Sequence, residues 1–449
     1  MKSKLTLIFL SAIFTFAGCG KSDWQKLFNG KDFSGFVQLG GKAQYIVEDG
    51  VMVGISTPGT PNSFMCTTEE YTDFVLEFDA KADTLLNSGV QVRSHSRETG
   101  NGVLVCGYQV EIDPTDRGWS GGIYDEARRG WLYPVTPNNA AAVRAFDRYG
   151  WNRYHVEATG NRIRTWVNGI PVADLVDDAD SSGFIGFQVH AVRDDLAGTR
   201  VMWKDIRIAT ENLAKYMISD TAGIYQANFI PNTLTDREVN DGWKLLFDGA
   251  TSAGWRGAHK KEFPESGWVI ENGCLKVLAS GGAESKAGGD IVSLNEYGNF
   301  DLFFEFMITE GANSGVKYFV TEDYSTTGSA IGLEYQILDD LRHPDARMGR
   351  DGNRTVASLY DLIPAANKRF NGVGQWNAAH IVSFNGHVEH WLNGFRVLEY
   401  ERGSEAYRQL VSESKYKDFA GFGEAEKGHI LLQDHGNEVS FRSIKIREL

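Results

Sequence analysis

The sequence lacks an excess of basic residues, since 45 lysines and arginines stand against 59 aspartates and glutamates. A nucleic-acid partner needs a basic patch that displaces counterions from phosphates, so the net charge of −14 argues against that class of partner. Four cysteines are also too few for a disulfide framework. The chain is instead rich in aromatic residues, at 12%, which favours β-sheet and sugar-stacking surfaces over helical bundles.

A hydrophobic run long enough to cross a membrane is missing from the N-terminal region. The run at 5–16 has 12 residues, fewer than the ~20 that a transmembrane helix needs. It follows Lys2 and Lys4 and ends in Ala17-Gly18-Cys19, which indicates a signal peptide over 1–19 with an end that resembles a bacterial lipobox. The resemblance implies cleavage before Cys19, lipidation of its thiol, and a protein exported and lipid-anchored in the bacterial envelope, in the periplasm or at the outer membrane. A signal peptide with an incidental cysteine is the alternative.

Three further cysteines remain, Cys66, Cys106 and Cys274, and three thiols cannot all pair. Because Cys66 and Cys106 lie in apolar, strand-like segments, we expect buried free thiols. A Cys66–Cys106 disulfide is the alternative.

The sequence contains an internal repeat. Seven short blocks recur in the same order, and this predicts two homologous domains at 21–209 and 242–449, joined by a linker at 210–241 in which 211–218 is predicted as a short helix. The paired blocks are Trp24–Gly30 with Trp243–Gly249, Tyr45–Gly50 with Trp268–Gly273, Asn87–Val90 with Asn313–Val316, Ile123–Asp125 with Leu359–Asp361, Trp151–Asn152 with Trp376–Asn377, Trp166–Gly169 with Trp391–Gly394, and Gln188–His190 with Gln433–His435.

Each repeat has the pattern of an all-β domain. Phe74, Leu76 and Phe78 alternate with other residues, and 300–306 repeats the alternation, which predicts strands with one face in a core. Asn-Gly pairs between apolar runs, as at 168–169, predict tight hairpins. Helical periodicity is weak, except at 139–148. We therefore predict two β-sandwiches or jelly rolls with short helical additions.

The same alternation predicts a polar face on each sandwich. In the second repeat Glu334 and Gln336 point away from Leu333, Tyr335 and Ile337. The residues grouped by parity in this way are Lys317, Glu334, Gln336, Gln433 and His435 in the second repeat, with Gln91, Arg93, Gln109, Glu111, Asp113, Gln188 and His190 in the first. Carboxylates and imidazoles transfer protons, and amides bind hydroxyls, as a saccharide site requires. A merely solvated face of an antiparallel sheet is the alternative for any one of them.

A charged loop follows in the second repeat, where 339–345 holds three aspartates and His343. Either a metal site or a salt-linked loop fits this composition. Because no HExxH or EF-hand spacing is present, we prefer the salt-linked loop and predict no metal and no cofactor.

These motifs resemble the 3-keto-disaccharide hydrolase domain family. The resemblance covers nearly everything after the signal peptide, and is plainest in the second repeat. The segments that carry it are Glu334–Asp339, Ser358–Leu362, Glu389–Gly394 and Gly428–His435, with Gly107–Asp113 and Gly118–Asp125 in the first repeat. It implies a concanavalin A-like jelly roll and action on glycosides whose C3 is a ketone. The first repeat departs from the pattern at Gln109, where the second has Glu334, and at Val189, where it has Asp434.

Chemistry then suggests roles for the residues. A C3 ketone acidifies the C2 proton, so a base can remove it and the C1 aglycone can leave by elimination before water adds back. We expect Glu334 and His435 to be the acid and base, Lys317 to stabilise the enolate, and the remaining site residues to bind substrate. These are Gln336, Asp339, Tyr360, Trp391 and Gln433, with Arg93, Gln109, Glu111, Asp113, Tyr124, Gln188 and His190 in the first repeat.

Other hypotheses stay open at this stage. Ordinary glycoside hydrolysis by two carboxylates is the neighbouring mechanism. A non-catalytic carbohydrate-binding lipoprotein is the alternative function, and a tethered scaffold is a third, because fold does not fix function. Convergence of Glu334, Gln336, Gln433 and His435 in one place favours the enzyme, and their scatter favours the binding protein.

Overall fold

The computed structural model describes residues 23–449, apart from 101, 137–138, 220–222, 282–284, 286 and 325–328. The predicted signal peptide and Cys19 lie outside the described residues. Within the described part, no helix is both long enough and apolar enough to cross a membrane.

Two β-sandwiches follow one another along the chain. The first has a nine-stranded sheet, in the order β16-β13-β12-β11-β6-β15-β4-β3 with β1 beside β15, and a seven-stranded sheet, in the order β10-β9-β8-β7-β14-β5-β2. The strands are β1 (Trp24–Lys26), β2 (Phe36–Gly40), β3 (Gln44–Glu48), β4 (Val51–Ile55), β5 (Ser63–Thr67), β6 (Phe74–Ala82), β7 (Ser88–Thr99), β8 (Gly102–Ile112), β9 (Ile123–Glu126), β10 (Gly130–Tyr133), β11 (Asn152–Thr159), β12 (Arg162–Val167), β13 (Ile170–Val176), β14 (Phe184–Val189), β15 (Arg200–Ala209) and β16 (Ala227–Asn228).

The second sandwich has an eight-stranded sheet, in the order β19-β20-β29-β22-β25-β26-β27 with β17 beside β29, and a five-stranded sheet, in the order β18-β21-β28-β23-β24. The strands are β17 (Lys244–Leu245), β18 (Trp255–Gly257), β19 (Trp268–Glu271), β20 (Cys274–Val277), β21 (Ile291–Tyr297), β22 (Phe300–Ile308), β23 (Asn313–Val320), β24 (Leu333–Leu338), β25 (Asn377–Phe384), β26 (His387–Leu392), β27 (Phe395–Glu401), β28 (Gly428–Leu432) and β29 (Val439–Glu448). The all-β prediction of two tandem sandwiches is confirmed.

A core lies between the two sheets of each sandwich and is formed by the alternating apolar residues. In the first, Phe78 stacks on Tyr154 with ring centroids 4.9 Å apart. In the second, Phe304 meets Tyr335 edge-on at 5.5 Å. These side chains are fully buried, and interdigitation of two inner faces is the usual way in which a sandwich buries its apolar surface.

Helices are short additions. They are α1 (Ala140–Val143), α2 (Asp236–Asn240) and α3 (Glu405–Ser412), with 3-10 turns at Asp194–Leu196, Leu213–Lys215 and Pro344–Arg347. The helix expected over 211–218 is therefore a single 3-10 turn, and the one expected over 139–148 shrinks to α1.

The described residues of the linker contact both domains. Its β16 pairs in parallel with β13 of the first sandwich. A capping box on Thr235 starts α2, and Glu238 in α2 forms a buried ion pair with Lys445 of the second sandwich. The side-chain Oδ1 of Asn232 also accepts from the backbone N–H of Ser443 at 2.8 Å. The segment between the domains is thus a structural element and not a free tether.

The cysteines of the described chain are free thiols. Cys66 and Cys274 are buried and Cys106 is half-buried. Burial raises the pKa of the Cys66 thiol, and the alternative Cys66–Cys106 disulfide is not formed.

Candidate active site

Four polar residues share the outer side of the five-stranded sheet. In the β23–β24 ladder Lys317 lies opposite Glu334 and Gly315 opposite Gln336, and the Gln433 backbone N–H, just after β28, donates to the Gly315 carbonyl at 3.0 Å. Their strand neighbours, such as Val316 and Tyr335, point into the core. We call Lys317, Glu334, Gln336 and Gln433 the second polar face.

Gly315 makes room for the carboxylate. A Cβ atom at this position would lie 2.4 Å from Oε1 of Glu334, far inside van der Waals contact. Since its backbone angle is ordinary for a strand, the glycine is needed for space and not for flexibility. The Glu334 side chain therefore lies across the middle of β23.

Glu334 is a buried carboxylate with little direct bonding. It is 4% exposed, and burial raises its pKa, against the charges of Lys317, Lys415 and His435, which lower it. Within the described chain, no residue donates a hydrogen bond to its carboxylate. A carboxylate with a raised pKa and oxygens free of protein donors is suited to exchange a proton with a substrate.

Lys317 is held in place by neighbouring oxygens. Its Nζ donates to the Ala330 carbonyl at 3.1 Å and lies 3.5 Å from Oδ2 of Asp290, just before β21. Asp290 is placed in turn by its Oδ1, which accepts from the Asp434 backbone N–H. The Asp434 carboxylate binds the backbone N–H groups of Gly288 and Gly289. Asp290 is not predicted from the repeated blocks, because nothing in the first repeat matches it.

A loop beside β24 brings Tyr360 to Glu334, and a second lysine, Lys415, reaches it from a different segment. The Tyr360 backbone N–H donates to the Glu334 carbonyl at 3.0 Å, and its hydroxyl donates to Asp345 at 2.8 Å. Lys415 lies with its Nζ 4.2 Å from the Tyr360 ring centroid. Burial lowers the pKa of Lys415, opposed by the nearby charge of Glu334. Arg354 braces the group, because it binds both Asp345 and Asp361, and Asp361 accepts the Lys415 backbone N–H.

Lys415 arrives on an insertion found only in the second domain. Eighteen residues separate Gly169 from Gln188 in the first repeat, whereas 38 separate Gly394 from Gln433. The extra segment contains α3, and Lys415 follows that helix. Because the prediction rested on blocks shared by both repeats, it could not find this residue.

His435 lies beside the second polar face. Its charge acts on Glu334, and its ring centroid is 6.1 Å from that of His343, in an edge-on arrangement. Burial and the His435 charge lower the pKa of His343. The four residues whose convergence was expected to favour an enzyme, Glu334, Gln336, Gln433 and His435, are thus brought together.

Two amides on this face keep atoms without hydrogen-bond partners in the described chain. These are Nε2 of Gln336 and Oε1 of Gln433, both buried. A buried amide atom without a partner costs on the order of 1–3 kcal/mol, and ligand hydroxyls can supply the missing bonds. The pair provides one donor and one acceptor.

Two predicted residues of the second repeat lie elsewhere. The Asp339 carboxylate accepts from the backbone N–H groups of Gly311 and Leu341 and from Arg342, so it caps the turn after β24. Trp391 is on β26 of the other sheet, and its indole donates to Glu389 at 2.8 Å. Trp391 lines a separate cavity of about 1120 Å³ between the domains, which Tyr124 and Trp131 of the first domain also line.

The predicted charged loop at 339–345 is salt-linked. Asp340 binds Lys368, and Asp345 binds Arg354. In the described residues the one group with metal-ligand spacing is His387, Glu389 and Glu399 on β26 and β27. The Arg396 guanidinium lies 2.8 Å from the carboxylates of both Glu389 and Glu399, so it already neutralises their charge.

The first domain places a related set on its seven-stranded sheet. Gln91 lies opposite Gln109, and Gly89 lies opposite Glu111. On the neighbouring strand β14, Gly186 pairs with Gln91, and Gln188 is two residues further along that strand. We call Gln91, Gln109, Glu111 and Gln188 the first polar face. Tyr124 on β9 lies opposite Gln109, and the half-buried His190 just after β14 bonds the Ala191 carbonyl through Nδ1.

Two first-domain predictions are corrected by the structure. Arg93 lies at an irregularity in β7 and has a left-handed backbone, with φ of +46°. Its counterpart Phe319 in β23 is also left-handed, with φ of +54°. Such an irregularity reverses the alternation of side chains between the two faces of the sheet, so parity does not give the face on which Arg93 lies. The Arg93 guanidinium binds Asp73 and the carbonyls of Thr72 and Gly160. Asp113 binds Thr115, Arg117 and the Trp119 backbone, so it orders the loop after β8.

Comparison with known proteins supports a glycoside hydrolase-like enzyme. The chain belongs to the family of the 3-keto-alpha-glucoside-1,2-lyase-like domain, whose model matches residues 23–209 and again 242–447, so the family predicted from the motifs is confirmed. It is 38% identical, over 231 residues, to the 3-keto-disaccharide hydrolase of Bacteroides thetaiotaomicron, covering 46% of this chain and 79% of that protein.

Solved structures of similar sequence come from Parabacteroides distasonis. One, a candidate glycosyl hydrolase, is 29% identical and covers 49% of this chain and 99% of its own, with a TM-score of 0.43. Another with the same description is 25% identical and covers 46% of this chain and 99% of its own, with a TM-score of 0.35.

Proposed function

We propose that the second domain cleaves 3-keto-glycosides by elimination through C2, followed by addition of water. A base removes the C2 proton, and the C–H electrons form an enolate with the C3 ketone. The enolate then expels the aglycone from C1, with an acid protonating the leaving oxygen. Water adds to the resulting enone, so the net reaction is hydrolysis.

The observation that carries the proposal is the pairing of Glu334 and Lys317 across neighbouring strands. Elimination needs a carboxylate or imidazole that exchanges a proton and a cation that stabilises the enolate oxygen. Glu334 has a raised pKa, and Lys317 is the adjacent cation. His435 is the second proton-transfer group, and Gln336 and Gln433 offer unsatisfied amide atoms to sugar hydroxyls.

The names of the relatives support the substrate class. The domain of this family is described as 3-keto-alpha-glucoside-1,2-lyase-like, and the Bacteroides thetaiotaomicron relative is named a 3-keto-disaccharide hydrolase. An elimination followed by hydration reconciles a lyase with a hydrolase, because the two names describe the first step and the net reaction.

The test compares 3-keto-glycosides with the same unoxidised glycosides, using the full chain. Glu334→Gln and His435→Ala should each lower turnover of the 3-keto substrate by about 10²–10⁴, with nearly unchanged thermal midpoints. Deuterium at C2 should exchange with solvent or slow cleavage. Equal cleavage of unoxidised glycosides, without a C2 isotope effect or exchange, would replace elimination with two-carboxylate hydrolysis.

A nitrophenyl aglycone separates the acid from the base. Nitrophenolate leaves without protonation, so the variant that lacks the acid should recover most of its rate on this substrate. The variant that lacks the base should not, because the C2 proton still has to be removed. Recovery by both variants or by neither contradicts this division of roles between Glu334 and His435.

We also propose that the protein is exported and anchored to the bacterial envelope through a lipid on Cys19. The support is the basic, apolar and Ala-Gly-Cys order of the first residues. A membrane-anchored enzyme would meet its saccharide outside the cytoplasm.

A further inference from the structure

We infer that the first domain is a saccharide-binding site without catalytic activity, which takes neutral, unoxidised glycosides. The inference uses the proposed function only for the class of ligand, a sugar. It rests on what the first polar face keeps from the second and on what it has exchanged.

The charge pair at the centre of the second polar face is an amide pair in the first. By register Gln91 stands where Lys317 stands, and Gln109 where Glu334 stands. Nε2 of Gln91 donates to Oε1 of Gln109 at 2.8 Å. Neither amide can accept a proton from carbon or stabilise an enolate with a full charge, and without the lysine the face has no group that selects a ketone.

The two outlying charges are missing as well. In the second domain Ile291 pairs with Leu432, so the preceding residue, Asp290, lies beside Gln433. In the first domain the residue that pairs with Gln188, the counterpart of Gln433, is Phe64. An apolar side chain therefore stands where the second domain has Asp290. The insertion that carries Lys415 has no counterpart in the first domain. Four ionisable groups of the second site are therefore absent from the first.

The carboxylate that the first polar face does hold is bonded on both oxygens. Oε1 of Glu111 accepts from Asn87 at 2.6 Å and from Arg117 at 3.0 Å, and Oε2 accepts from Gln109 at 3.1 Å. Burial raises the pKa of Glu111 to about 7, so a raised pKa does not distinguish it from Glu334. The distinction is geometric, because hydrogen bonds to both oxygens fix Glu111 in place as a residue that orders the face.

Gln188 is the residue of the first polar face whose amide is left unsatisfied on both atoms, Oε1 and Nε2, in the described chain. It is fully buried. Gln433, its counterpart in the repeat, is left with one unsatisfied atom in the same way. Sugar hydroxyls both donate and accept, so they match an amide with both atoms open.

The surroundings favour a neutral ligand with flat faces. Arg117 is already paired with Glu111 and Asp113, so it offers little to an anion. Tyr124 lies beside Gln109, and its ring centroid is 5.2 Å from that of the half-buried Trp131. These two rings, which also line the cavity between the domains, supply apolar surface of the kind on which sugars stack.

The experiment measures binding of maltose, cellobiose and trehalose by calorimetry to the full chain carrying Glu334→Gln. We expect at least one of them to bind. Gln188→Leu should then weaken that binding at least 10-fold, and Tyr124→Ala should weaken it with Gln188 intact. The matched substitution Gln433→Leu should leave this binding unchanged, and circular dichroism should show the same fold in all variants.

Three results would overturn the inference. They are no binding of any of the three sugars, loss of binding with Gln433→Leu but not with Gln188→Leu, and residual turnover in the Glu334→Gln chain that Gln188→Leu abolishes. The last result would make the first domain catalytic. A failure of the proposed function has a different signature, because it concerns turnover of 3-keto-glycosides by the second domain.

Discussion

Replacing Glu111 with glutamine should change how the stability of the first domain depends on pH. Burial, opposed by the hydrogen bonds from Asn87 and Gln109 and by the charge of Arg117, raises the pKa of Glu111 from 4.5 to about 7. A carboxyl with a raised pKa gives its full contribution to stability below the unfolded value, and loses it as the pH rises through the folded value. At about 1.4 kcal/mol per pKa unit, the loss in the wild type is about 3 kcal/mol once the pH exceeds 8.

The variant has no proton to lose, so the free energy of unfolding of Glu111→Gln minus that of the wild type should rise by about 2.5 kcal/mol between pH 5 and pH 8. Any constant cost from altered hydrogen bonds cancels in this slope. Guanidinium unfolding of the full chain, followed by circular dichroism at each pH, measures it.

Asp32→Asn is the matched control for this prediction. Hydrogen bonds from Ser34 and Asn29 and the charge of Lys31 lower the pKa of Asp32 from 3.8 to about 2. Its contribution is present above the unfolded value and is lost as the pH falls through the folded value, so Asp32→Asn should give a nearly constant offset from pH 5 to pH 8. A flat difference for Glu111→Gln over the same range would refute the reasoning, because Glu111 would then not titrate there.

Four further outcomes are expected. Lys415→Met should move the limb of the kcat/KM profile that reports Glu334 to higher pH, because that cation lowers the pKa of Glu334; a profile with neither limb moved would contradict this. Gly315→Ala should depress turnover, since its Cβ would lie 2.4 Å from the carboxylate, and unchanged kinetics would show that the clash is relieved. Cys19→Ala should shift the protein from membrane to soluble fractions, and unchanged partition removes the lipid anchor. Residues 21–209 and 242–449 should each fold alone by circular dichroism, and an unfolded half would contradict autonomy.

The repeat and the alternation were sufficient to predict the architecture. Period-two patterns place Glu334 and Gln336 opposite Tyr335 because a strand turns its side chains by half a turn at each step, and the structure agrees. Shared blocks then placed Gln433 and His435 beside them. Local rules therefore found the residues of the second polar face that lie in regular strands.

The same rules failed where the backbone departs from a regular strand. Arg93 was assigned by parity, and the left-handed residue in β7 reverses that parity. Asp339 follows the last residue of its strand, where a carboxylate caps backbone N–H groups. Trp391 alternates correctly but belongs to the other sheet, and one strand's pattern does not tell which sheet it joins.

The comparison of the two polar faces separates what the fold needs from what the chemistry needs. Both domains keep the glycine that makes room for a side chain from the next strand, with a Cβ at Gly89 lying 2.4 Å from the Gln109 side chain and one at Gly315 equally close to Glu334. The first domain forms the same ladder with Gln91 and Gln109, so the fold does not require a lysine and a glutamate there. Burying such a pair usually costs more than its attraction returns. The proposed reaction gives a reason for a lysine and a glutamate at these positions that stability does not, which is why we propose that the catalytic activity lies in that half of the chain.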